Sequence, residues 1–365
     1  MTVREGPTKL MVDSTGRRGP GRRGAAFYNP AMAPDRDLCV LFGRYAARQG
    51  CRNFLDGLAA TGVRGIRLAH EVDGDIRVTL CEVNPASFEL IGRQAALNGV
   101  EVEAVNRDVR ILLHGRRFDY VDIDPYGSPA PFVPAALAGL KRHGFAAFTA
   151  TDKATLCGVH PEACRRRYHA VGRRGPAMKE VGLRILTGYL VREAAGRDLG
   201  ATPVFAYSHD HYFRVYLHLR EGARRADRAL QQVGWAGWDR EGWRLARFDE
   251  KRPSNWLGPL WTGPLQDKKA VSFMAGTAGE CNLARPREVR RLLHLVGDEV
   301  DAPPLYYRAG ALCKSLGIPQ PPLGEVLDSL RQRGYRAVRT HCDPDALKTD
   351  APLEAVEEIF VELST

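Results

Sequence analysis

The chain has 365 residues, with 53 lysines and arginines against 43 aspartates and glutamates, and a formal net charge of +10. Because 44% of the residues are hydrophobic and 8% are aromatic, buried cores are expected and extended disorder is excluded. A stretch of about 18 apolar residues, which a membrane-spanning helix requires, does not occur, and residues 1–24 lack an apolar signal core. The length predicts two domains, and the sequence predicts a soluble, cytoplasmic protein.

The eight cysteines never form a CxxC pair, and several lie inside apolar runs. We therefore expect them to be buried and reduced, in keeping with an intracellular compartment. Their spacing does not match a zinc site, so no metal is expected.

The positive charge is concentrated in residues 161–197 and in the glycine-rich opening stretch. Clustered arginine and lysine favour a phosphate-bearing partner, nucleic acid above all. General solubility is the alternative that charge alone leaves open.

Strands and helices alternate in the first half. The predicted strands are residues 53–58, 77–83, 102–105, 118–123 and 145–150, and the clearest helices are 130–140 and 179–195. This alternation indicates βαβ units and a parallel sheet. Two further strands, 203–208 and 212–219, are joined by so few residues that they must pair antiparallel. An α/β sheet of this kind is typical of class I (Rossmann-like) methyltransferases.

Acidic residues follow several of these strands, among them Asp56, Glu82 and Asp108. Ligands of an open α/β sheet bind beyond the carboxyl ends of the strands, and Glu82 has the position that accepts hydrogen bonds from an adenosine ribose. The glycines of residues 57–65 do not form a GxGxxG motif, so S-adenosylmethionine, which has no pyrophosphate, suits the site better than a dinucleotide. Solvated or helix-capping acids are the alternative.

The segment Asp124-Pro-Tyr126-Gly resembles the Asp/Asn-Pro-Pro-aromatic motif of enzymes that methylate exocyclic amino groups. Such an amine is a poor nucleophile because its lone pair is delocalised into the base. An acceptor on its N–H, for which Asp124 is the candidate, takes the proton as the methyl group moves. Tyr126 is the candidate platform on which the base stacks. A β-turn with a chance Asp-Pro is the alternative.

Over most of its length the sequence resembles the archaeal members of the tRNA (guanine-26-N2)-dimethyltransferase family. The segments that carry the resemblance are 27–30, Asp35-Arg-Asp37, 56–67, 122–129, 149–152, 156–161, 180–186, 209–214 and 258–264. The resemblance implies that S-adenosylmethionine supplies two methyl groups to N2 of guanine 26 in tRNA, and that tRNA is the partner.

The resemblance also implies roles for individual residues. The positions matching the family's cofactor-binding residues are Arg36, Arg64, Glu82, Asp108 and, beside the adenine, Val109. Asp124 matches the catalytic acid, and Phe27 and Tyr126 match the aromatics that sandwich the guanine. Tyr126 is Phe in many relatives, and Glu82 replaces an Asp, which lengthens its reach by one methylene. From the residues alone, Phe27 would pack on the sheet, and both arginines would be surface charges.

The predicted domain division is a catalytic domain over residues 1–221, with an N-terminal substrate and cofactor loop over 1–50, and a tRNA-binding domain over 222–365. Some family members carry paired cysteines in the second half, but residues 222–280 contain none. The five tryptophans, Trp235, Trp238, Trp243, Trp256 and Trp261, are expected to supply core in place of metal.

The end of the chain predicts a smaller α+β domain with a winged-helix-like part. The predicted elements are a hairpin over 234–248, a helix over 285–298, two helices over 308–316 and 324–333, a strand over 335–340 and a wing tip over 344–352. A protein-interaction module of the same shape is the alternative. The basic side chains that favour RNA are Arg331, Arg333, Arg336, Arg339 and Lys348.

Other functions remain open from the sequence. They are an N-methyltransferase acting on another RNA base or on DNA, and a non-catalytic RNA-binding protein on a methyltransferase fold. A nicotinamide oxidoreductase is disfavoured by the missing GxGxxG motif and the terminal hairpin. We expect neither membrane attachment nor an obligatory protein partner.

Overall fold

The structure is a computed structural model that describes residues 2–12, 28–251 and 254–364. Strands β1 (Thr2–Glu5) and β2 (Thr8–Met11) form an antiparallel hairpin, and helix α1 (Ala33–Arg48) follows a 3₁₀ turn at Pro30–Met32. The prediction of a loop over residues 1–50 is therefore wrong for its described part. Charged residues of α1 are buried beside its apolar ones, so the helix lacks the polar face by which a helix is recognised in sequence.

A seven-stranded sheet forms the centre of the molecule, with strand order β5-β4-β3-β6-β7-β9-β8. Its strands are β3 (Asn53–Asp56), β4 (Arg77–Cys81), β5 (Glu103–Val105), β6 (Phe118–Ile123), β7 (Leu140–Ala150), β8 (Leu199–His209) and β9 (Tyr212–Glu221). Strands β3 to β7 pair parallel, whereas β9 pairs antiparallel with both β7 and β8. The predicted class I (Rossmann-like) arrangement is confirmed.

Helices cover both faces of this sheet. They are α2 (Val63–Glu71), α3 (Pro85–Asn98), α4 (Val109–Gly115), α5 (Val133–Ala138), α6 (Lys153–Leu156), α7 (Pro161–Tyr168) and α8 (Met178–Ala195). Apolar side chains of α1, α2 and α3 form one core cluster, and those of α4, α5 and α8 form another. The predicted helix over 130–140 is shorter than expected, because Leu140 already pairs with Phe118 as the first residue of β7.

The next part of the chain packs on the same two clusters. Its elements are α9 (Ala223–Leu230), β10 (Val233–Asp239), β11 (Gly242–Arg247), β12 (Leu257–Trp261), α10 (Lys268–Thr277) and α11 (Pro286–Glu299). Strands β10 and β11 are the predicted hairpin, and β12 joins β10 on its other side. Gly188 of α8 permits a close approach of β12, since a Cβ there would lie 2.8 Å from the Trp261 nitrogen. The division at residue 222 stays a prediction, and both clusters contain residues from either side of it.

The last 58 residues of the described chain form a small α+β unit with its own core cluster. Its elements are β13 (Tyr307–Arg308), α12 (Ala309–Leu316), α13 (Leu323–Gln332), β14 (Ala337–Arg339), β15 (Ala346–Thr349) and α14 (Leu353–Glu362). The two predicted helices and the strand are found, but the predicted wing tip over 344–352 is wrong: it contains β15, the central strand of a sheet ordered β13-β15-β14. The winged-helix identity of this unit stays a prediction.

Lys348 of β15 is buried, contrary to its predicted place on an exposed tip. Only 3% of the residue is exposed. Its Nζ donates to Oε1 of Glu180 at 2.9 Å and lies 3.1 Å from Oε2 of Glu299. Arg184 and His341 complete this C-terminal ion cluster, in which His341 Nδ1 lies 2.7 Å from Glu299 Oε1. Lys348 therefore stabilises the junction between α8, α11 and β15, and it is unavailable to RNA.

Three further observations concern the described residues. None of their helices combines the length and hydropathy of a membrane span. No group of three or more His, Cys, Asp or Glu side chains among them is placed to hold a metal ion. All eight cysteines are free, and seven of them are buried, as the sequence predicts.

The C-terminal ion cluster predicts a pH-dependent stability. Burial disfavours the charged imidazole, but the Cys342 sulfur and the Glu299 carboxylate raise the pKa of His341 from 6.5 to about 10. Because the folded state then holds this proton more tightly than the unfolded chain, the stabilisation is complete below pH 6.5 and is lost as the pH rises through about 10. Thermal unfolding across that range should show a smaller decline in Tm for His341→Gln than for the wild type. The exposed His294→Gln is the control, and equal declines in all three proteins would contradict the assignment.

Candidate active site

The carboxyl ends of β3, β4, β5 and β6 meet at one edge of the sheet, where they bring the predicted acids together. Asp56 ends β3 and lies in register with Asp122 of β6. Glu82 directly follows β4, and its N–H donates to the carbonyl of Val105 at the end of β5 at 3.1 Å. Asp108 follows β5 and caps helix α4. This carboxyl edge is therefore lined by side chains from four successive strand ends.

A buried group of charges lies directly beneath this edge. We call it the Asp35–Arg64 network; it consists of Asp35, Arg64, Asp122, Asp124 and Arg214. Arg64 donates to Asp35 at 2.6 Å and to Asp124. Arg214 donates to Asp122 and lies 3.6 Å from Asp35. Asp124 is the member at the rim, because its side chain is 21% exposed, whereas the other four are 6% exposed or less.

Neutral side chains fix the orientation of the network. The Tyr207 hydroxyl donates to Asp35 at 2.6 Å, and Arg214 donates to the Thr149 hydroxyl at 2.7 Å. Burial opposes the charge on Asp35, but the guanidiniums of Arg64 and Arg214 and the Tyr207 hydroxyl lower its pKa to about 2. Asp35 is thus a permanent anion that holds both arginines in place.

Asp56 differs from the other carboxylates of the edge. Its Oδ2 accepts from the N–H of Gly65, at the start of α2, at 2.9 Å. Burial raises its pKa to about 7; Arg64 opposes that shift, while Asp122 and Asp124 reinforce it. Near neutral pH this side chain is therefore only partly ionised, and its contribution is to position α2.

One donor of Arg64 has no partner among the described residues. Its Nη1 is buried and makes no hydrogen bond there. Buried polar groups are normally satisfied, so such an atom calls for a partner beyond the described part of the chain. A ligand carboxylate would satisfy it by a charge-assisted bond, immediately beside Asp124.

Glu82 retains capacity for a ligand. Its two oxygens accept from the N–H groups of Ala60 (2.7 Å) and Asn84 (2.8 Å). Because each carboxylate oxygen has a second lone pair, two ligand hydroxyls are still accommodated. The bond from Ala60, a residue in the left-handed region at φ 47°, also holds the turn between β3 and α2.

Asp108 and Val109 begin helix α4. Asp108 accepts from the N–H of Arg110 at 2.8 Å and pairs with its guanidinium. Val109 is 2% exposed, and a Cβ added at Gly57 would lie 3.0 Å from Val109 Cγ2. The predicted adenine-side residue therefore packs against the turn that follows β3.

Arg36 is engaged elsewhere. Its Nε donates to Glu5 of the β1–β2 hairpin at 2.8 Å, and its Nη2 donates to Glu5 and to the Asn29 carbonyl. The guanidinium lies 5.2 Å from the centre of the Tyr28 ring. Arg36 therefore ties the N-terminal hairpin to α1, and within the described chain its guanidinium makes no hydrogen bond to the side chains of the Asp35–Arg64 network. Phe27 lies outside the described residues.

The loop after β6 is held in a defined shape. Its Gly127 (φ 94°) donates to the Thr151 hydroxyl at 2.6 Å and accepts from the Thr151 N–H at 2.9 Å. Beside Asp124, Tyr126 is 75% exposed. The structure thus places an exposed aromatic residue two positions after a partly exposed carboxylate, and their roles as platform and acceptor stay a prediction.

A second group of hydrogen bonds ties this loop to helix α7. The Tyr168 hydroxyl lies 2.7 Å from Oγ of Ser128 and donates to Asp152 at 2.6 Å. Arg167 lies 3.0 Å from the other oxygen of Asp152. Thus α7 and its arginines are coupled to the loop that carries Tyr126.

Sequence reasoning from the residues missed the partners that organise the site. Asp35, Arg214 and Asp152 entered only as parts of motifs that carry the family resemblance. A usable signal was present, since Asp122 and Arg214 carry opposite charges and each lies between two apolar neighbours in its strand. Buried charges require a partner, so each predicts the other's presence nearby.

Fewer basic side chains are available to a ligand in the structure than the sequence predicts. Arg184 belongs to the C-terminal ion cluster, and Arg192 donates to the carbonyl of Tyr168 at 2.7 Å. The exposed arginines of 161–197 that make no ion pair within the described chain are Arg166, Arg173 and Arg174. Near the C-terminus, Arg331 pairs with Asp328, Arg333 with Glu358 and Glu362, and Arg336 with Asp301, while Arg339 is exposed.

The five tryptophans differ in burial. Trp235 and Trp261 are core residues, at 8% and 3% exposed. Trp243 and Trp256 are partly buried. Trp238, at 46% exposed, is not a core residue, so the expectation that all five supply core is wrong for it.

Replacing Arg214 tests the Asp35–Arg64 network. In Arg214→Met, Asp122 would stay buried with Arg64, 3.8 Å away, as its remaining cation in the network. We expect unfolding to become easier by about 3–5 kcal/mol, measured by urea titration, because a buried charge loses its partner. Arg110→Met, which removes an exposed pair with Asp108, should change stability little. Equal losses in the two variants would contradict a stabilising role for Arg214.

The chain is similar to known proteins in sequence and in fold. Residues 19–361 match the family model described as N2,N2-dimethylguanosine tRNA methyltransferase. A tRNA (guanine(26)-N(2))-dimethyltransferase of Pyrococcus furiosus is 39% identical, covering 92% of each chain. The enzyme of the same name from Pyrococcus horikoshii is 37% identical, covering 99% of this chain and 97% of the relative.

A solved structure is also similar. It is Trm1 from Pyrococcus horikoshii in complex with S-adenosyl-L-methionine, with a TM-score of 0.90 and 38% identity, covering 98% of this chain and 99% of that one. Both the family model and the relatives extend over the acidic carboxyl edge and the C-terminal unit alike. The chain belongs to the N2,N2-dimethylguanosine tRNA methyltransferase family.

Proposed function

We propose that the chain is a tRNA methyltransferase that uses S-adenosyl-L-methionine to place two methyl groups on N2 of guanine 26. Family membership supports the substrate and the reaction. The observation that carries the assignment of the site is the position of Asp124, partly exposed at the rim of a charge network and two residues before an exposed aromatic ring.

The residues at the carboxyl edge fit this cofactor. Nη1 of Arg64 would donate to its carboxylate, and the remaining lone pairs of Glu82 would accept from its ribose hydroxyls. Asp108 and Val109 would lie at its adenine. Arg36 would use Nη1, which Glu5 does not occupy, for the carboxylate. The anionic edge suits a ligand whose sulfur carries a positive charge.

The residues that take part in methyl transfer lie on the loop after β6. When bound, S-adenosyl-L-methionine supplies a methyl group on sulfur, which N2 attacks as the carbon–sulfur bond breaks with its electrons on sulfur. Asp124 accepts a hydrogen bond from the N2 amino group and takes its proton as the nitrogen–carbon bond forms. Tyr126 stacks the extruded guanine so that nitrogen, carbon and sulfur are in line. Phe27, the second aromatic predicted for this stack, lies outside the described residues.

Before the cofactor binds, Asp124 shares Arg64 with Asp35, because Nη2 of Arg64 donates to both carboxylates. A cofactor carboxylate on Nη1 would add a third anion to the same guanidinium. That competition weakens the bond from Arg64 to Asp124, and it therefore favours binding of the cofactor before the guanine.

The rest of the chain holds the RNA. We propose that residues 222–365 grip the tRNA with exposed basic side chains, of which Arg339 is one, and that the enzyme works in the cytoplasm, where its substrate is. Most of these contacts are to phosphate and to shape, as a folded RNA requires.

The decisive experiment identifies the product. The purified chain is incubated with labelled S-adenosyl-L-methionine and a tRNA transcript, and the RNA is digested to nucleosides. We expect labelled N2,N2-dimethylguanosine, and none when adenine replaces guanine 26. Label on adenine or in DNA would replace the proposal by a different base specificity. Tight tRNA binding with no transfer would make the chain a non-catalytic RNA-binding protein.

The role of Asp124 is tested by substitution. Asp124→Ala and Asp124→Asn should each lower the rate of methyl transfer by roughly 100- to 10,000-fold, because the proton acceptor is lost. S-adenosyl-L-methionine should still bind, as measured by calorimetry. Asp73→Ala, an exposed carboxylate that precedes β4 and thus lies at the opposite edge of the sheet, is the matched control and should keep full activity. Full activity in either Asp124 variant would remove it from the mechanism.

A further inference from the structure

A cavity of about 370 Å³ lies away from the carboxyl edge. It is formed by the segment that leads into α8, by the β10–β11 hairpin, and by β13 and α12. The Asp35–Arg64 network contributes nothing to its lining. Its volume is within the range of about 300–1,000 Å³ that small-molecule sites occupy. The cavity is therefore a separate place where a ligand group of modest size fits.

Its walls present aromatic rings to solvent. Trp238 is held by edge-on contacts with Trp243 and Tyr307, whose ring centres lie 5.2 Å and 5.7 Å from its own. Trp243 is in turn fixed by a hydrogen bond from its Nε1 to the carbonyl of Tyr306 at 3.0 Å. Trp238 is 46% exposed, and its indole is held by these ring contacts. A planar ligand can stack on it with little loss of side-chain entropy.

Three arginines are among the residues that line the cavity. Arg173 and Arg174 are exposed and make no ion pair within the described chain. Arg308 lies at the long distances of 3.8 and 3.9 Å from Asp345 and Asp343. Guanidinium groups bind phosphate bidentately, so these arginines complement a phosphodiester backbone. Rings with arginines around them match a nucleotide better than an apolar peptide side chain.

The cavity is connected to the catalytic loop through the chain. Ser128 of that loop contacts Tyr168, five residues before Arg173. The backbone of Arg173 also packs closely on Gly158 (φ 79°), since a Cβ added at that glycine would lie 2.4 Å from it. RNA seated in the cavity is thus in contact with the segment that orients the loop carrying Tyr126.

We propose that this cavity binds an unstacked nucleotide of the tRNA substrate other than the target guanine, with its base on Trp238 and its phosphates on Arg173 and Arg174. The inference rests on the proposed function for the identity of the RNA. It assigns a second, non-catalytic nucleotide site that anchors the tRNA while guanine 26 is extruded.

The test measures binding rather than turnover. A transcript with adenine at position 26 binds without being methylated, and its Kd is measured at several salt concentrations. Trp238→Ala should raise Kd about tenfold with the salt dependence unchanged, because base stacking is lost, and Trp238→Phe should restore most of the affinity. The double variant Arg173→Ala/Arg174→Ala should instead lower the slope of log Kd against log salt by about 1–2, because two phosphate contacts are lost.

Matched controls lie outside the cavity. Leu245→Ala removes an exposed apolar side chain of the same hairpin, and Arg142→Ala/Arg220→Ala removes two exposed arginines at the amino end of β7. These variants should bind like the wild type, and all variants should keep their Tm and their affinity for S-adenosyl-L-methionine. Wild-type tRNA affinity and salt slope in the Trp238→Ala and double arginine variants would overturn the site and favour a protein ligand.

The outcome is separable from that of the proposed function. If the wild type makes no dimethylguanosine but Trp238→Ala still weakens tRNA binding, the function fails and the nucleotide site stands. If dimethylguanosine forms and the cavity variants bind tRNA normally, the function stands and the nucleotide site fails.

Discussion

The burial of Asp35 and Asp122 beneath the carboxyl edge is the constraint on which the catalytic half depends. Isolated carboxylates inside a protein are very costly, so each needs a cation of fixed geometry. Arg64 from α2 and Arg214 from β9 supply these cations, and both contact Asp35 of α1. Four elements are thereby locked to one another directly under Asp124. The network contributes position more than stability, and position is what an in-line methyl transfer requires.

The same principle explains the three charges at the start of α1. Successive helical residues point about 100° apart, so Asp35, Arg36 and Asp37 face different neighbours. Asp35 joins the network, and Arg36 binds the N-terminal hairpin. Asp37 pairs with Arg67 at 2.7 Å and accepts from the N–H groups that precede α11. One helical turn thus links the site, the hairpin and the second half of the chain.

The sequence was sufficient to predict the central sheet, but it was insufficient to predict helix α1 and the buried ion pairs that hold the elements together. Parallel pairing follows from the βαβ alternation, and the antiparallel end of the sheet follows from the short β8–β9 connection. The carboxyl edge and its acids could therefore be located in advance, although the order of the strands could not. Helix α1 could not be, because its charged residues are buried and remove the polar face that identifies a surface helix. The prediction that Lys348 is exposed was wrong for a related reason. A charged side chain is expected on the surface unless an opposite charge is buried beside it. Its partners Glu180 and Glu299 lie far away in sequence, so a local pattern does not reveal them. A charge inside an apolar run indicates that a partner exists, but which residue is that partner is a tertiary property that a local pattern does not encode.

The distribution of charge bears on the proposed approach of guanine to Asp124. At the carboxyl edge two guanidiniums face the carboxylates of Asp35, Asp122 and Asp124, with Glu82 nearby, so the edge favours a cation and repels phosphate. In the proposed reaction a nucleotide would therefore enter with its base leading and its backbone held away. Three exposed arginines that make no ion pair among the described residues, Arg166, Arg173 and Arg174, lie on and after α7, which Tyr168 couples to the loop after β6. The basic surface that attracts the phosphate backbone is thus adjacent to, but separate from, the acidic edge that accepts the neutral base. That separation favours a base flipped out of the helix over a base in an intact stack.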